Sequence, residues 1–377
     1  NIDLVTDNSL TTAERAQYKA EAKIFRAMVM FDMVRLWGDF PVITTVADDI
    51  TSENIDEVYP QYFPKQNTEL EAYQQIEKDL LDAVLYAPDN TPGNKTLFSK
   101  SVARTLLAKI YAEKPLRDYT KVIQYCDEVK ADGFDLVDDF SDLFGMNAAG
   151  TDAKMRNTKE SILEAQFTSG AGNWCTWMFG RDLVNWNNNF TWAKWVTPSR
   201  DLISAFKQEG DEVRFKESIV YYDCNWSNYY PSDNYPFMYK CRSANSSIIK
   251  YRYADVLLLK AEALIMQDTP DLEGAADIID KVRDRAKLGA LPTSVRSNKN
   301  VLLNALLKER RLELAFEGQR WFDLVRLDKV EEVMNAVYSK DSGRKAQIYT
   351  FDKNSYRLPI PQSVIDANDK IHQNPGY

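Results

Sequence analysis

The stretch Glu309-Arg-Arg-Leu-Glu-Leu-Ala-Phe-Glu-Gly-Gln-Arg-Trp-Phe-Asp-Leu-Val-Arg326 decides the fold class of this chain. It predicts two helices, at residues 300–316 and 320–337, because charged and apolar residues recur in it at helical spacing. Charged side chains three or four positions apart on a helix form ion pairs, and such networks are usually structural. We therefore assign a scaffold role, rather than a catalytic one, to its charged residues. They are Arg311, Glu313, Glu317, Arg320, Asp323 and Arg326.

Helical patterns also occur in the N-terminal half and in the residues before this stretch. Residues 14–37 predict a helix that ends at Gly38, and its unbroken apolar run at residues 27–31 predicts burial on several sides. Within it, Asp32 and Arg35 are three residues apart and can pair. Further helices are predicted at residues 69–87, 99–113, 119–131, 253–266 and 272–287.

Several of these helices follow one another as helix–turn–helix pairs. Residues 99–131 have a pattern of tetratricopeptide type, and residues 253–287 repeat that plan. The repeats are scattered rather than regular, so the sequence predicts helical pairing and not a continuous solenoid. The expected fold class is mainly α, with helix pairs that form a scaffold and few short strands.

Residues 135–250 have a different character, because helical periodicity fades there while Asn, Gly, Tyr and Trp become more frequent. We interpret them as a loop-rich insertion that contains short strands at residues 162–167 and 218–222 and a short helix at 200–206. The segment from Val58 to Pro64 is expected to be extended, because proline disfavours the helical region in the residue before it. The chain would then be a single domain, with the helical scaffold at 1–134 and 251–340, the insertion at 135–250 and a surface-wrapping tail at 341–377.

Composition excludes several classes of function. The 377 residues include 47 basic and 56 acidic ones, for a net charge of −9, and no long basic run is present. Nucleic-acid binding requires clustered Lys and Arg, so no nucleic-acid partner is expected. No apolar run approaches the 18 residues typical of a transmembrane helix. The start at Asn1, without a signal peptide, indicates a processed or trimmed chain.

The counts of histidine and cysteine restrict the available chemistry further. His372 is the only histidine, which excludes a multi-histidine metal site and nearly excludes Ser–His–Asp catalysis. The four cysteines are widely spaced, without a C-x-x-C pair. Cys175 and Cys224 could pair in an oxidising compartment, and four free thiols are an equally good interpretation. The sequence therefore predicts no metal and no cofactor.

Tryptophan is concentrated in one part of the chain. Six of the eight tryptophans lie within 53 residues, interleaved with asparagines: Trp174, Trp177, Trp186, Trp192, Trp195 and Trp226. A packed core favours Leu, Ile and Val, whereas flat rings can stack on the C–H faces of sugars and amides can bond hydroxyls. The predicted glycan-binding residues are Trp174, Trp177, Trp186, Asn187, Trp226, Tyr229 and Tyr230, with Arg181 as a further candidate.

These aromatic residues could instead form the core of the insertion, with the polar tips of Trp and Tyr hydrogen-bonded. We favour packing for Trp195, leave Trp192 open, and expect Trp37 and Trp321, which lie in helical segments, to be core residues. Exposed aromatic clusters on a monomer usually mark a binding surface, which favours ligand contact for the others. A second-tier candidate for the rim of the site is formed by Tyr59, Tyr62 and Phe63.

Three segments together resemble the SusD/RagB-like outer-membrane nutrient-binding lipoproteins of Bacteroidetes. They are Glu21-Ala-Lys-Ile-Phe-Arg-Ala27 running into residues 31–41, residues 251–263, and the stretch 309–326. The ending, Leu358-Pro-Ile-Pro361 with Gln373-Asn-Pro-Gly-Tyr377, is also similar to the family's. The matching segments follow the family order from residue 21 to residue 377.

The resemblance implies an oligosaccharide- or polysaccharide-binding protein, held by a lipid anchor on the outer surface of the outer membrane. It also implies a SusC-like TonB-dependent transporter as partner, which receives the glycan and for which the protein acts as a lid. The family's lipidated cysteine is not in this chain, and the segment before Glu21 is short for the family. We predict a binding protein and not an enzyme.

Two other classes of function remain open at this point. One is a helical-repeat scaffold that binds a protein or peptide through the aromatic window and has no glycan affinity. The other is a glycoside hydrolase, which would need two carboxyl groups at a defined separation, and no motif in the sequence singles out such a pair.

Overall fold

The computed structural model describes residues 2–6, 8–167, 196–224, 230–340 and 350–377. Its described part is mainly helical, as the sequence predicts. The longer helices are α1 (Thr12–Trp37), α2 (Glu69–Tyr86), α3 (Lys100–Ala112), α4 (Tyr119–Ala131), α5 (Arg200–Glu209), α6 (Glu212–Ser218), α7 (Tyr253–Met266), α8 (Leu272–Arg285), α9 (Lys299–Glu313), α10 (Arg320–Arg326) and α11 (Val330–Lys340). Short α-helical turns lie at Ile55–Val58, Ser141–Phe144, Thr293–Arg296 and Gln362–Ala367, and 3-10 turns at Ile2–Leu4, Tyr59–Tyr62, Lys114–Leu116 and Lys353–Tyr356.

The helices stack in succession and bury one continuous core. α1 packs on α2, α2 on α3, α3 on α4, α4 on α7, and α7 on both α8 and α9. α7 lies inside this array and is apolar on nearly every side; its Val256, Leu258 and Ala261 are almost completely buried. A helix that is apolar all round is stable only when neighbours cover it on all sides, so α7 is the centre of the scaffold.

The start and end of α1 follow from local sequence chemistry. The Thr11 hydroxyl accepts a hydrogen bond from the backbone N–H of Glu14 at 3.2 Å, and the Glu14 carboxylate accepts one from the N–H of Thr11 at 2.8 Å. This capping box satisfies two backbone donors that a helix start leaves free. At the other end Gly38 adopts φ 73°, and its N–H donates to the Val34 carbonyl at 2.9 Å. The predicted stop at Gly38 is confirmed.

In the described part of the chain, four strands form two small antiparallel sheets. β1 (Ser161–Ala165) pairs with β4 (Ile248–Arg252), and β2 (Ile219–Tyr222) pairs with β3 (Tyr235–Met238). The sequence predicted β1 and β2 but missed β3, β4 and α6. β4 runs into α7 without an intervening turn, since Arg252 is both its last residue and the residue that caps α7. A strand that joins a helix directly leaves no Gly or Pro signal, which explains the omission.

The predicted extended conformation of residues 58–64 is wrong. The chain forms a short helix followed by a 3-10 turn, and Tyr59 has helical angles (φ −53°, ψ −45°) although Pro60 follows it. Pro60 lies in the first turn of the 3-10 segment, where the missing N–H of proline needs no acceptor. That position accommodates proline without unwinding the helix.

The predicted single helix at residues 320–337 is also wrong. The chain breaks between α10 and α11 at Asp328, which adopts a left-handed φ of 54°. The Lys329 N–H closes the break by donating to the Leu324 carbonyl at 2.8 Å, and Lys114 pairs with the Asp328 carboxylate at 2.5 Å. Aspartate tolerates this conformation better than most residues, and no glycine or proline marks the break in the sequence.

The C-terminal residues 350–377 lie against the end of α1 and the start of α2. The Arg357 guanidinium pairs with Glu69 at 2.6 Å, the His372 N–H donates to Gln66 at 2.8 Å, and the Asn374 amide donates to the Trp37 carbonyl at 2.9 Å. Trp37, expected in the core, is half-buried beneath this tail. The tail thus packs the C-terminal end of the chain against the α1–α2 region.

Candidate functional site

Most of the predicted glycan-binding residues lie outside the described part of the chain. The predicted site residues outside it are Trp174, Trp177, Trp186, Asn187, Trp226 and Tyr229, with the further candidate Arg181. Three other residues considered in the sequence also lie outside it: Trp192, Trp195 and Cys175. Their assignment to the site therefore stays a prediction. Cys224 is buried, and its pairing with Cys175 falls outside the described residues. Tyr230 is the predicted site residue whose surroundings are described.

Tyr230 is half-buried and held from three sides. Its hydroxyl donates to the Pro198 carbonyl at 2.7 Å, and its ring meets the Tyr235 ring edge-on with centroids 5.7 Å apart. The Arg200 guanidinium lies over the ring, 4.8 Å from its centroid. An aromatic ring fixed by packing and by a hydroxyl contact loses little freedom when a ligand binds, so Tyr230 is suited to supporting a contact surface.

The described ends of the two tryptophan-bearing segments touch each other. The first segment rejoins the described chain at Val196 and the second at Tyr230. The Thr197 and Tyr235 hydroxyls are 2.7 Å apart, and Tyr230 bonds the Pro198 carbonyl. The β2–β3 hairpin supports this junction, since Tyr235 and Phe237 pack beneath it as one buried cluster. We call this junction, residues 196–200 with 230–237, the aromatic base.

A cleft opens beside the aromatic base. It comprises a groove of about 780 Å³ among α5, α9 and α11, and a cavity of about 330 Å³ at the turn between α9 and α10; Arg311 lines both. The groove is lined by Arg200, Asp201, Ser204, Ala205, Gln208, Lys308, Arg311, Glu332, Val333, Ala336, Val337 and Lys340. The cavity is lined by Ser199, Leu202, Arg310, Arg311, Leu314, Ala315, Phe316, Gly318, Gln319, Arg320 and Trp321. We call the two together the α5–α9 cleft.

The cationic side chains of the cleft differ in how far they are neutralised. Arg310 is buried and bonded to Asp255 and Asp323, each at 2.8 Å, and Arg311 pairs with Asp201 at 2.5 Å. Arg320 is half-buried, and its Nη1 donates to the Leu307 carbonyl at 2.9 Å. Burial lowers the pKa of Arg320 to about 10, and the neighbouring charge of Arg311 acts in the same direction.

Two expectations about the stretch 309–326 need correction here. Trp321, expected in the core, is half-buried and lines the cleft. The ion pairs mostly join different elements rather than neighbours on one helix: Glu313 pairs with Arg252 and Arg285, while the local pair of Asp323 and Arg326 at 2.9 Å follows the predicted spacing. The turn between α9 and α10 interrupts the helical spacing, so Glu313 and Glu317 face other partners.

The arrangement of carboxylates suits binding better than acid–base chemistry. A glycosidase places two carboxyl groups on opposite sides of its substrate. Two carboxylates of the described residues line the α5–α9 cleft, and both are paired: Asp201 with Arg311 and Glu332 with Lys329. Inside the scaffold, the buried carboxylates of Glu309 and Glu313 both contact the guanidinium of Arg214, at 2.6 and 3.1 Å. These buried carboxylates balance charge inside the scaffold.

Sequence reasoning did not identify the cleft residues as a site. Arg311 and Arg320 were assigned to the scaffold and Arg200 was not singled out, because the cleft unites three segments that are far apart in sequence. One usable signal was the position of Arg200, which follows the tryptophan-rich window directly through Thr197-Pro198-Ser199.

The second-tier candidates Tyr59, Tyr62 and Phe63 lie elsewhere, beside the C-terminal tail. Tyr59 and Tyr62 are about half exposed, at 52% and 49%, and the Phe63 carbonyl accepts a hydrogen bond from Lys370 at 3.0 Å. Tyr59 and Phe63 pack together with ring centroids 4.9 Å apart. Their contribution to a binding rim stays a prediction.

The described residues, 2–6, 8–167, 196–224, 230–340 and 350–377, hold neither a metal-binding cluster nor a membrane-spanning helix. Within those ranges, no group of three or more His, Cys, Asp or Glu side chains could hold a metal ion. Among the helices of the same part of the chain, none is both long enough and apolar enough to cross a membrane.

Two protein-family models match the chain. The model described as "SusD family" matches residues 235–377, and the model described as "Starch-binding associating with outer membrane" matches residues 1–112. A relative, "SusD-like protein P2" of Formosa agariphila, is 28% identical over 95% of this chain and 74% of its own length.

Among the solved structures with the same fold are two whose names state what the protein binds. "Surface glycan-binding protein A from Bacteroides uniformis" superimposes with a TM-score of 0.76 at 20% identity, covering 99% of this chain and 80% of that one. "Laminarin binding SusD-like protein" superimposes with a TM-score of 0.73 at 24% identity, covering 100% of this chain and 82% of that one. At these identities the similarity establishes the fold.

Proposed function

The chain belongs to the SusD/RagB family, and from this premise we propose that it captures nutrient glycan at the outer surface of the cell. It acts as a binding protein and not as an enzyme. The names of its structural neighbours, a surface glycan-binding protein and a laminarin-binding protein, support this proposal. So does the family description, which refers to starch binding and to the outer membrane.

The observation that carries the proposal is the meeting of the two tryptophan-bearing segments at the aromatic base. Thr197 contacts Tyr235 and Tyr230 contacts Pro198, so the described residues that border the two segments meet. Trp174, Trp177 and Trp186 belong to the first segment and Trp226 to the second. We propose that these rings, with Asn187, Tyr229 and Tyr230, form the platform for the sugar. Large exposed aromatic patches usually mark binding surfaces.

The proposed mechanism is passive. The rings stack on the apolar faces of the sugar, and amide or guanidinium groups bond its hydroxyls. A sugar of the wrong configuration leaves some polar side chains of the site without hydrogen bonds. This loss disfavours its binding more strongly than apolar contacts can. Because a shallow, wet site yields little net free energy after the cost of association, each site should bind in roughly the micromolar to millimolar range.

Delivery to a membrane transporter completes the proposal. We propose that the protein is lipid-anchored at the outer membrane and delivers its glycan to a SusC-like TonB-dependent transporter. Membership of the SusD/RagB family supports both points. Co-purification of the transporter with the tagged protein from native membranes would test the partnership, and its absence from a detergent-solubilised preparation would contradict it.

The glycan site is tested by removing the proposed platform. We expect Trp177→Ala and Trp226→Ala each to weaken retention in polysaccharide-containing gels by up to about tenfold, because a stacked ring contributes on the order of 1 kcal/mol. Tyr86→Ala, which removes an aromatic ring 52% exposed on α2, is the matched control and should change nothing. The gels would contain laminarin, starch, xylan, pectin and a sulfated galactan.

Three results would contradict the proposal in different ways. Unchanged retention by both variants, with circular dichroism intact, would show that the platform lies elsewhere. Release of reducing sugar from any of the polysaccharides would identify an enzyme. Failure of the unaltered protein to bind every polysaccharide, together with capture of a peptide, would favour the helical-repeat scaffold.

A further inference from the structure

We propose that the α5–α9 cleft binds the acidic groups of the glycan, so that the preferred ligand is an anionic oligosaccharide carrying uronate carboxylates or sulfate esters. This inference rests on the proposed function, because it assumes that the aromatic base beside the cleft holds a sugar chain. It adds the chemical class of that chain.

The charge of the cleft is opposite to that of the chain as a whole. The protein carries a net charge of −9. The lining of the cleft nevertheless holds three times as many basic as acidic side chains: Arg200, Lys308, Arg310, Arg311, Arg320 and Lys340 against Asp201 and Glu332. Among the described residues that line the smaller cavity, three are arginines and none is acidic. A concave site lined by one sign of charge concentrates ions of the opposite sign.

Of the three arginines that line the smaller cavity, Arg320 is the one without a carboxylate partner among the described residues. Its Nη1 donates to the Leu307 carbonyl, and no described carboxylate lies within 4.0 Å of it. A guanidinium has five N–H donors, so most of its hydrogen-bonding capacity is available. Burial lowers the pKa of Arg320, and the charge of Arg311 lowers it further. An anion in the cavity would offset both effects.

Arg311 lines the same cavity and is already paired with one carboxylate. Its Nη2 pairs with Asp201 at 2.5 Å, and its side chain remains 20% exposed. Paired guanidinium groups of this kind recognise planar or tetrahedral oxyanions through two parallel hydrogen bonds. Arg311 and Arg320 together therefore define the position of one carboxylate or sulfate.

The cavity also provides a surface for the sugar ring that carries this group. Trp321 and Phe316 line it, and both are half-buried. Phe316 adopts a left-handed φ of 66°, a conformation that costs a bulky residue free energy and that persists mostly at functional or tightly held positions. An aromatic wall beside two arginines matches a sugar with one apolar face and one acidic group.

The aromatic base and the cleft are continuous through Arg200. Its guanidinium lies over the Tyr230 ring, and the same residue lines the groove. A chain of several sugars bound at the aromatic base can therefore extend into the cleft, whose larger groove of about 780 Å³ lies within the size range of ligand sites. This continuity favours an anionic glycan over a phosphopeptide, which would not need the aromatic base.

The test compares charged and neutral forms of the same glycan. Retention is measured in gels that contain polygalacturonate or its carboxyl-reduced product, and a sulfated galactan or its desulfated product. We expect the unaltered protein to bind at least one charged form at least about tenfold more tightly than its neutral product, since hydrogen bonds to charged groups are the stronger ones. Which pair shows the difference distinguishes carboxylate from sulfate.

The variants Arg320→Gln and Arg311→Gln should each abolish most of this preference, while binding of the neutral product stays within about twofold. Arg296→Gln removes the same charge at a residue that does not line the cleft and pairs with Glu273 on α8. It is the control, and the preference should be retained. Thermal unfolding verifies that each variant is folded. Arg311 is partly exposed and pairs with Asp201. Arg311→Gln therefore provides a second test if Arg320→Gln does not fold.

The outcomes separate this inference from the proposed function. Equal binding of charged and neutral forms, or a preference that both variants retain, overturns the inference and leaves glycan binding intact. Failure of every glycan to bind overturns both. Equal retention by polyglutamate would show that the cleft responds to negative charge alone and would also overturn the assignment to a glycan.

Discussion

Buried charges in this protein are balanced residue by residue. Asp255 at the start of α7 lies between Lys109, at 2.6 Å, and Arg310, at 2.8 Å, and all three side chains are buried. Burial alone would raise the pKa of Asp255, but the charges and hydrogen bonds of Lys109 and Arg310 outweigh it and hold that pKa well below its usual value. The carboxylate is thus charged in the folded protein at any pH at which the fold persists.

This contact predicts a definite pH dependence of stability. Asp255→Asn removes the carboxylate that pairs with Lys109 and one of the two that pair with Arg310, which keeps Asp323. It should lower the free energy of unfolding by about 3–5 kcal/mol at pH 7. As the pH falls below about 4, the unfolded Asp255 takes up a proton while the folded one does not, so acid favours the unfolded state. The difference between the unaltered protein and the variant should therefore narrow there.

Urea unfolding between pH 3 and pH 8 measures this difference. Asp138→Asn is the control, because Asp138 pairs with Lys159 on the surface and its side chain is 95% exposed. It should stay close to the unaltered protein across the range. A gap between Asp255→Asn and the unaltered protein that widens in acid would refute the electrostatic account.

At the scale of helices and strands, the sequence predicts most where the signal is local. α4 and α7 have the predicted bounds: the apolar residues of α4 recur at helical spacing and Gly133 follows its end, and α7 is a long run of helix-forming residues. Prediction from the sequence fails where a distant contact decides the local structure. Asp328 is an example, because its carboxylate pairs with Lys114, more than two hundred residues away. The candidate site follows the same rule: the tryptophan window is visible in sequence, whereas the cleft requires α5, α9 and α11 to be brought together.

The end of α1 allows a prediction at this scale. Gly38 combines φ 73° with ψ −114°, and a Cβ atom there would lie 3.2 Å from the Arg357 side chain. Gly38→Ala should therefore cost roughly 1–3 kcal/mol in unfolding free energy, measured by chemical denaturation. Gly93→Ala, where an added Cβ meets nothing within 4 Å, should stay within about 0.5 kcal/mol. Equal effects of the two substitutions would show that backbone strain at Gly38 is not the cause.

At the scale of the whole molecule, one buried ion cluster joins the loop-rich segment to the helical scaffold. Arg252, between β4 and α7, bonds Glu160 at 2.7 Å just before β1 and Glu317 at 2.7 Å just after α9. Arg285 on α8 bonds Glu160 at 2.7 Å from the other side. These side chains are nearly or fully buried, apart from the partly exposed Glu317. Such a cluster couples the segments, because removing one partner leaves the others charged and buried.

Arg252→Met tests whether the molecule unfolds as one unit. The substitution removes one of two basic partners from each of Glu160 and Glu317, which keep Arg285 and Lys240. The unfolding free energy should fall by about 3–5 kcal/mol, with the transition still single. Tryptophan fluorescence reports mainly on the loop-rich segment, which holds six of the eight tryptophans, and far-ultraviolet circular dichroism reports mainly on the helices. Arg296→Met, on a surface network whose partners Glu273 and Asp277 are about 70% exposed, should cost at most about 1 kcal/mol.

If the two signals separated in Arg252→Met while they coincided in the unaltered protein, the cluster would be what makes unfolding cooperative. If they separated in both proteins, the scaffold would fold independently of the segment that we propose to bind the glycan.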